Sequence, residues 1–168
     1  MKKTLLIFGI CAAMVACNEA PKEENTGAAE PAVEEMQEEE APVELTKEER
    51  TTPPEGARVF FMDLENGATV SSPFMVAMGV EGMDILPAGE IVPGTGHHHI
   101  LINNEEGFLE RGEVVPMDEM NIHFGKGQME HELYLEPGEY TISLQFGNGY
   151  HESYGKQMSK TIEIVVAD

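Results

Sequence analysis

The chain has 168 residues and a formal net charge of −21, from 31 acidic and 10 basic side chains, with six histidines and two cysteines. That length leaves room for one domain beside non-globular segments, and so large an acidic excess repels phosphate backbones and anionic head groups, which excludes nucleic-acid binding. Cys11 and Cys17 both lie near the start of the chain, so no disulfide, zinc–thiolate site or cysteine nucleophile is expected beyond them.

Residues 1–16 read as an export signal. Lys2 and Lys3 precede an apolar run from Thr4 to Val15, too short to cross a bilayer as a stable helix. The run ends in Met14-Val15-Ala16-Cys17, which resembles the lipobox of bacterial lipoproteins, with Met14 where Leu is usual. The resemblance implies cleavage before Cys17 and acylation of that cysteine. Each buried methylene of the acyl chains contributes about 0.8 kcal/mol, and two chains already hold a protein stably on a membrane. The expected location is the bacterial cell envelope. The protein would be anchored by lipid on the outer membrane, at its periplasmic or outer-surface face, and would not span it.

Residues 17–55 join Cys17 to a stretch rich in Glu, Pro, Ala and Thr, with no aromatic residue and little apolar periodicity. Such a segment cannot bury enough surface to offset its ordering entropy, so a disordered tether is expected.

From Gly56 to Asp168 the texture changes to short β-rich runs punctuated by Gly and Pro. The expected strands are 58–64, 74–80, 97–103, 129–135, 140–146 and 161–166. Tyr140, Ile142, Leu144 and Phe146 alternate with Thr141, Ser143 and Gln145, and Ile162, Ile164 and Val166 repeat the pattern. Leu135–Tyr140 reads as a turn, with Pro137 and Gly138 in hairpin-like positions. Short strands at this density predict an all-β fold, a single immunoglobulin-like antiparallel β-sandwich. The Gly82–Gly96 stretch reads as a long loop feeding a histidine run, and such loops in compact domains tend to be functional.

Four of the six histidines fall in two phrases, Gly96-His97-His98-His99-Ile100 and Ile122-His123-Phe124-Gly125-Lys126-Gly127-Gln128. Together with Arg58-Val59-Phe60-Phe61, Gly82-Met83 and Pro87-Ala88-Gly89, they make the chain similar to an uncharacterised bacterial envelope family, catalogued only as a domain of unknown function. The resemblance supports the fold and an exported location and brings no activity.

Side chains at i and i+2 of a strand share a face. His97 and His99 therefore point one way, outward or into a cleft, while His98 joins Ile100 and Ile102 toward the core. A His-x-His pair on a strand, completed by a third imidazole, is a zinc-binding arrangement, and copper(II) accepts imidazole as readily. His123, alternating against Ile122 and Phe124, is the expected third ligand, and His151 is placed to cap or complete the set. His131, in line with Met129, Leu133 and Leu135, reads as a core-edge residue. Methionine thioethers suit copper(I), but scattered methionines in β-runs ordinarily fill core gaps.

Three readings of function stay open. The domain binds copper or zinc through His97, His99, His123 and His151, in metal handling or sensing. Alternatively it is a structural or adhesive module meeting an envelope protein partner, its histidines hydrogen-bonded to brace a loop. Thirdly it is a metal-dependent enzyme, for which Glu105, Glu106 and Asp118 are candidate bases by sequence proximity alone. No nucleophile or phosphate-loop signature accompanies them, so no enzyme is assigned.

Overall fold

The computed structural model describes residues 44–168. The export signal, Cys17 and the tether up to Val43 lie outside the described residues. Ordered chain begins before Gly56, which corrects the last stretch of the expected tether. Thr46 caps a short helix, α1 (Lys47–Thr51). Its hydroxyl accepts from Glu49 N at 3.3 Å, and the Glu49 carboxylate accepts from Thr46 N at 2.9 Å. This reciprocal capping satisfies two orphan amides, but five residues do not make a helix stable in isolation. Docking supplies the rest. Thr51 is buried, and Gln157 Nε2 donates to Pro54 O and Ala57 O at 2.8 and 3.2 Å.

Nine strands follow: β1 (Arg58–Phe61), β2 (Ala68–Ser71), β3 (Phe74–Glu81), β4 (Asp84–Ile85), β5 (Thr95–Ile102), β6 (Asn121–His123), β7 (Glu130–Leu133), β8 (Gly138–Gly147) and β9 (Ser159–Ala167). They form two packed sheets, β1-β3-β7 and β2-β9-β8-β5-β4, with β6 also paired to β5. The fold is the expected all-β sandwich, and its strand order is immunoglobulin-like. The first strand sits in the small sheet, and the chain then crosses so that β2 runs parallel to the last strand, β9.

The six expected strands are all present with shifted ends, and β2, β4 and β6 are additional. The stretch between the first two expected strands contains β2, and the Gly82–Gly96 loop contains β4. The Leu135–Tyr140 turn joins strands of different sheets, not a hairpin. Tyr140 OH donates to Glu136 O at 3.0 Å across that corner. A tyrosine bonded back over the connection between sheets is a recurrent device of this architecture.

The inner faces meet in a core that includes Val76, Met78, Ile100, Leu144, Phe146 and Ile164. Burying each such side chain stabilises by about 1.5–3 kcal/mol. The larger sheet is covered on its other face too. There Ser143 and Gln145 are as buried as Leu144, because the coil between β5 and β6 folds back over them. Leu109 N donates to Gln145 Oε1 at 2.9 Å, and Ser159 Oγ donates to Gly107 O at 2.8 Å. This second cover decides the environment of the histidines.

Candidate metal centre

All eight residues of β5 are buried, although its histidines alternate faces. His98 points to the core, its ring 5.0 Å from that of Phe146. His97 and His99 point the other way, as their parity requires, but they are not exposed. Both are fully buried, because the coil and the β8–β9 connection close over that face. Of the two expected settings, outward or into a cleft, the outward one is corrected: the pair lies in an interior recess with His123 and His151.

Register supplies the rest of the group. His99 lies opposite His123 on β6, and His97 lies opposite Gly147 on β8. Directly opposed residues bring their Cβ atoms to about 4.5–5.5 Å, and the His99 and His123 rings stack with centroids 5.2 Å apart. Where Gly147 withholds a side chain, His151 enters from the loop after β8, its ring 5.0 Å from that of His97. Two glycines make these approaches possible. A Cβ on Gly96 would meet the Gly147 carbonyl and Phe146 Cε1, and a Cβ on Gly125 would strike the His123 ring. The glycines flanking the two histidine phrases are thus steric requirements of the cluster.

His151 adopts φ 65°, in the left-handed region. For a non-glycine residue this costs on the order of 1 kcal/mol and persists only where the surroundings impose it. Here they do. Asn148 Oδ1 accepts from Tyr150 N and Glu152 N at 2.9 and 3.1 Å, His151 N donates to Asn148 O at 2.9 Å, and Val115 N donates to His151 O at 2.9 Å.

The outcome is one cluster. One ligand atom from each of His97, His99, His123 and His151 lies within 4.8 Å of all the others. His123 Nε2 is 3.2 Å from His97 Nε2 and 2.9 Å from His151 Nε2. An imidazole nitrogen carries one in-plane hydrogen or one lone pair, so no tautomer gives both contacts a hydrogen bond of its own. Two nitrogens each 2.0–2.1 Å from one ion stand about 2.9 Å apart at a right angle and about 3.4 Å apart at the tetrahedral angle. The two observed separations fall in that interval, whereas the widest needs a ring to move inward.

Burial sets the protonation. It pushes His99 down to about 2, helped by His97, His123 and His151 and opposed by the nearby backbone of Gln145. His97 falls to about 3 through burial and then through His123, His151 and His98. His123 is lowered by burial and by His151. These rings are neutral at pH 7, the form in which imidazole ligates a metal. The Nδ1 of His97 and both nitrogens of His99 are buried without a hydrogen-bond partner, a cost of about 1–3 kcal/mol for each unsatisfied group.

The other candidates fall elsewhere. His131 packs its ring 5.3 Å from that of Phe124 and stays outside the group, as expected. Asp118 braces a turn, its Oδ1 accepting from Met120 N at 2.9 Å and Asn121 Nδ2 at 2.8 Å. Glu105 and Glu106 line a surface hollow with Asn103 and Asn104. None of the three carboxylates belongs to the cluster. Sequence reasoning overlooked Arg50 and Glu152. They form a two-pronged pair, Nε–Oε2 and Nη2–Oε1 both at 2.7 Å, beside the fourth histidine.

Fold and site together define a class: an immunoglobulin-like sandwich carrying four converging imidazoles under a second cover. The model of the family described as Domain of unknown function (DUF4399) matches residues 76–167. The chain belongs to that family, and the match takes in all four histidines. No curated protein sequence and no solved structure matches the chain.

Proposed function

We propose that this domain binds a transition metal ion, copper or zinc, through His97, His99, His123 and His151, and serves metal handling or sensing at the bacterial cell envelope. The observation that carries the reading is the convergence of ring nitrogens whose close contacts no arrangement of protons satisfies. A loop-bracing network would set those nitrogens against carbonyls or carboxylates. Among the described residues, the ring nitrogens of His97, His123 and His151 make their hydrogen-bond contacts with one another. The neutral rings of His97, His99 and His123 leave the ion its full charge, and an all-nitrogen donor set suits zinc and copper(II) over the oxygen-seeking cations. A chain of net charge −21 draws cations toward it. The envelope location rests on the lipobox-like Met14-Val15-Ala16-Cys17, with the lipid on Cys17 as the membrane contact.

The test is elemental analysis of the full chain, exported to a periplasm and purified without a polyhistidine tag, beside a His97→Ala/His99→Ala/His123→Ala variant. Near-stoichiometric copper or zinc in the wild type, absent from a still-folded variant, is the expected result. A wild type that is metal-free and takes up neither ion on titration overturns the reading.

A further inference from the structure

Arg50 is 102 residues from Glu152 in sequence, yet it makes the two-pronged contact that closes the loop of the fourth histidine. The chain of contacts is short. Arg50 holds both oxygens of Glu152, whose carboxyl it keeps below the usual carboxylate range. Glu152 Oε2 also accepts from Asn148 Nδ2 at 2.8 Å, and Asn148 Nδ2 lies 3.4 Å from Arg50 O. Asn148 in turn closes the turn that forces His151 into its left-handed backbone. Glu152 and Asn148 are both buried. Without Arg50, the buried carboxylate would be left with one donor from a side chain and little water, an unfavourable state for a charged group.

We propose that Arg50 is a positioning residue for the metal centre. By seating α1 and its flanks on the 148–152 loop, it holds His151 in coordinating position, so docking of the N-terminal arm and metal affinity are linked. The proposal rests on the four-histidine reading above. Of the four ligands, His97 and His99 are fixed in an interior strand and His123 on its neighbour. His151 alone hangs from a turn, and Arg50 holds that turn. Linkage is reciprocal: an ion bound to His151 also secures the arm, so loss of the arm and loss of the metal favour each other.

The test uses the full chain. Zn(II) affinity is measured by competition with a chromophoric chelator, and the nitrogen donor count by electron paramagnetic resonance of the Cu(II) form. Wild type, Arg50→Ala, His151→Ala and the double variant close a cycle. Arg50→Ala is expected to weaken Zn(II) binding by up to about 10-fold, the lower end of the usual scale for a group that orients a ligand, and to lower the Cu(II) nitrogen count. In the His151→Ala background it should change affinity by less than about 2-fold, because the group it acts through is gone. Arg50→Lys keeps the charge without the fork. It serves where the alanine variant fails to fold, and should still lose affinity. Equal losses in both backgrounds, or none in the wild type, overturn the coupling and leave the metal site standing. A wild type that binds neither ion overturns both.

Discussion

The centre has two halves of opposite character. His97 and His99 are fully buried in an eight-residue interior strand, while His123 and His151 are partly exposed, one on a three-residue strand and one on a turn. The first pair is placed by the fold itself, because moving either ring means moving β5 between its hydrogen-bonded neighbours. The second pair is placed by local devices: the gap at Gly125, the turn at Asn148 and the grip of Arg50. The site thus joins a rigid floor to an adjustable rim, which is where an ion would enter and where regulation would act.

The floor can be broken first with acid. His97, His98 and His99 are lowered to about 3, 4 and 2, each by burial first. Near 6.5 and above, folded and unfolded chains both hold them neutral, and stability is independent of their titration. As pH falls below 6.5 the unfolded chain takes up protons that the folded chain refuses, so stability is lost at up to about 1.4 kcal/mol per pH unit for each. Metal-stripped protein should lose several kcal/mol between pH 7 and 5 in urea unfolding, before carboxylates titrate. Pre-saturation with Zn(II) should resist this until protons compete for the ligands. A midpoint that does not move between those pH values contradicts the burial of the floor.

Removing the floor ligands comes next in size. His97→Ala/His99→Ala should abolish stoichiometric uptake, a drop of 100-fold or more, on the order of 3 kcal/mol. His151→Ala, at the rim, should retain one ion with a weaker constant, by about 10-fold. Three imidazoles remain, a donor set that zinc accepts with an open position. Equal losses from floor and rim, measured by isothermal titration, would erase the distinction. The smallest effect is expected on the opposite face of β5. His98 is buried with neither ring nitrogen partnered, so His98→Leu should leave metal stoichiometry unchanged and the melting temperature level or higher.

Much of the floor was legible in the sequence. A period of two assigned His97 and His99 to one face and His98 to the core with Ile100 and Ile102, and the flanking Ile122 and Phe124 marked His123 as the third member of the cluster. The sandwich followed from strand runs such as Tyr140–Phe146. What could not be read was how the polar face of the larger sheet is covered. The 103–120 coil has no apolar period, and its hold on Gln145 and Ser159 is made by single hydrogen bonds. For the same reason nothing in the alternation marked Ser143 and Gln145 as buried. β2, β4 and β6, at four, two and three residues, are too short to show a period. Arg50 gave no local signal, since its meaning lies with a carboxylate 102 positions away.

Strand lengths sort by place in the sheets. The interior strands β3, β5, β8 and β9 run eight to ten residues, while β1, β2, β4, β6 and β7, all at the margins, run two to four. A margin that short offers a neighbouring chain few free amides and carbonyls to zip onto, which is how natural sheets avoid adding foreign strands. At high local concentration many copies can stand side by side, and the ladder that would turn neighbours into a fibril is cut off before it starts.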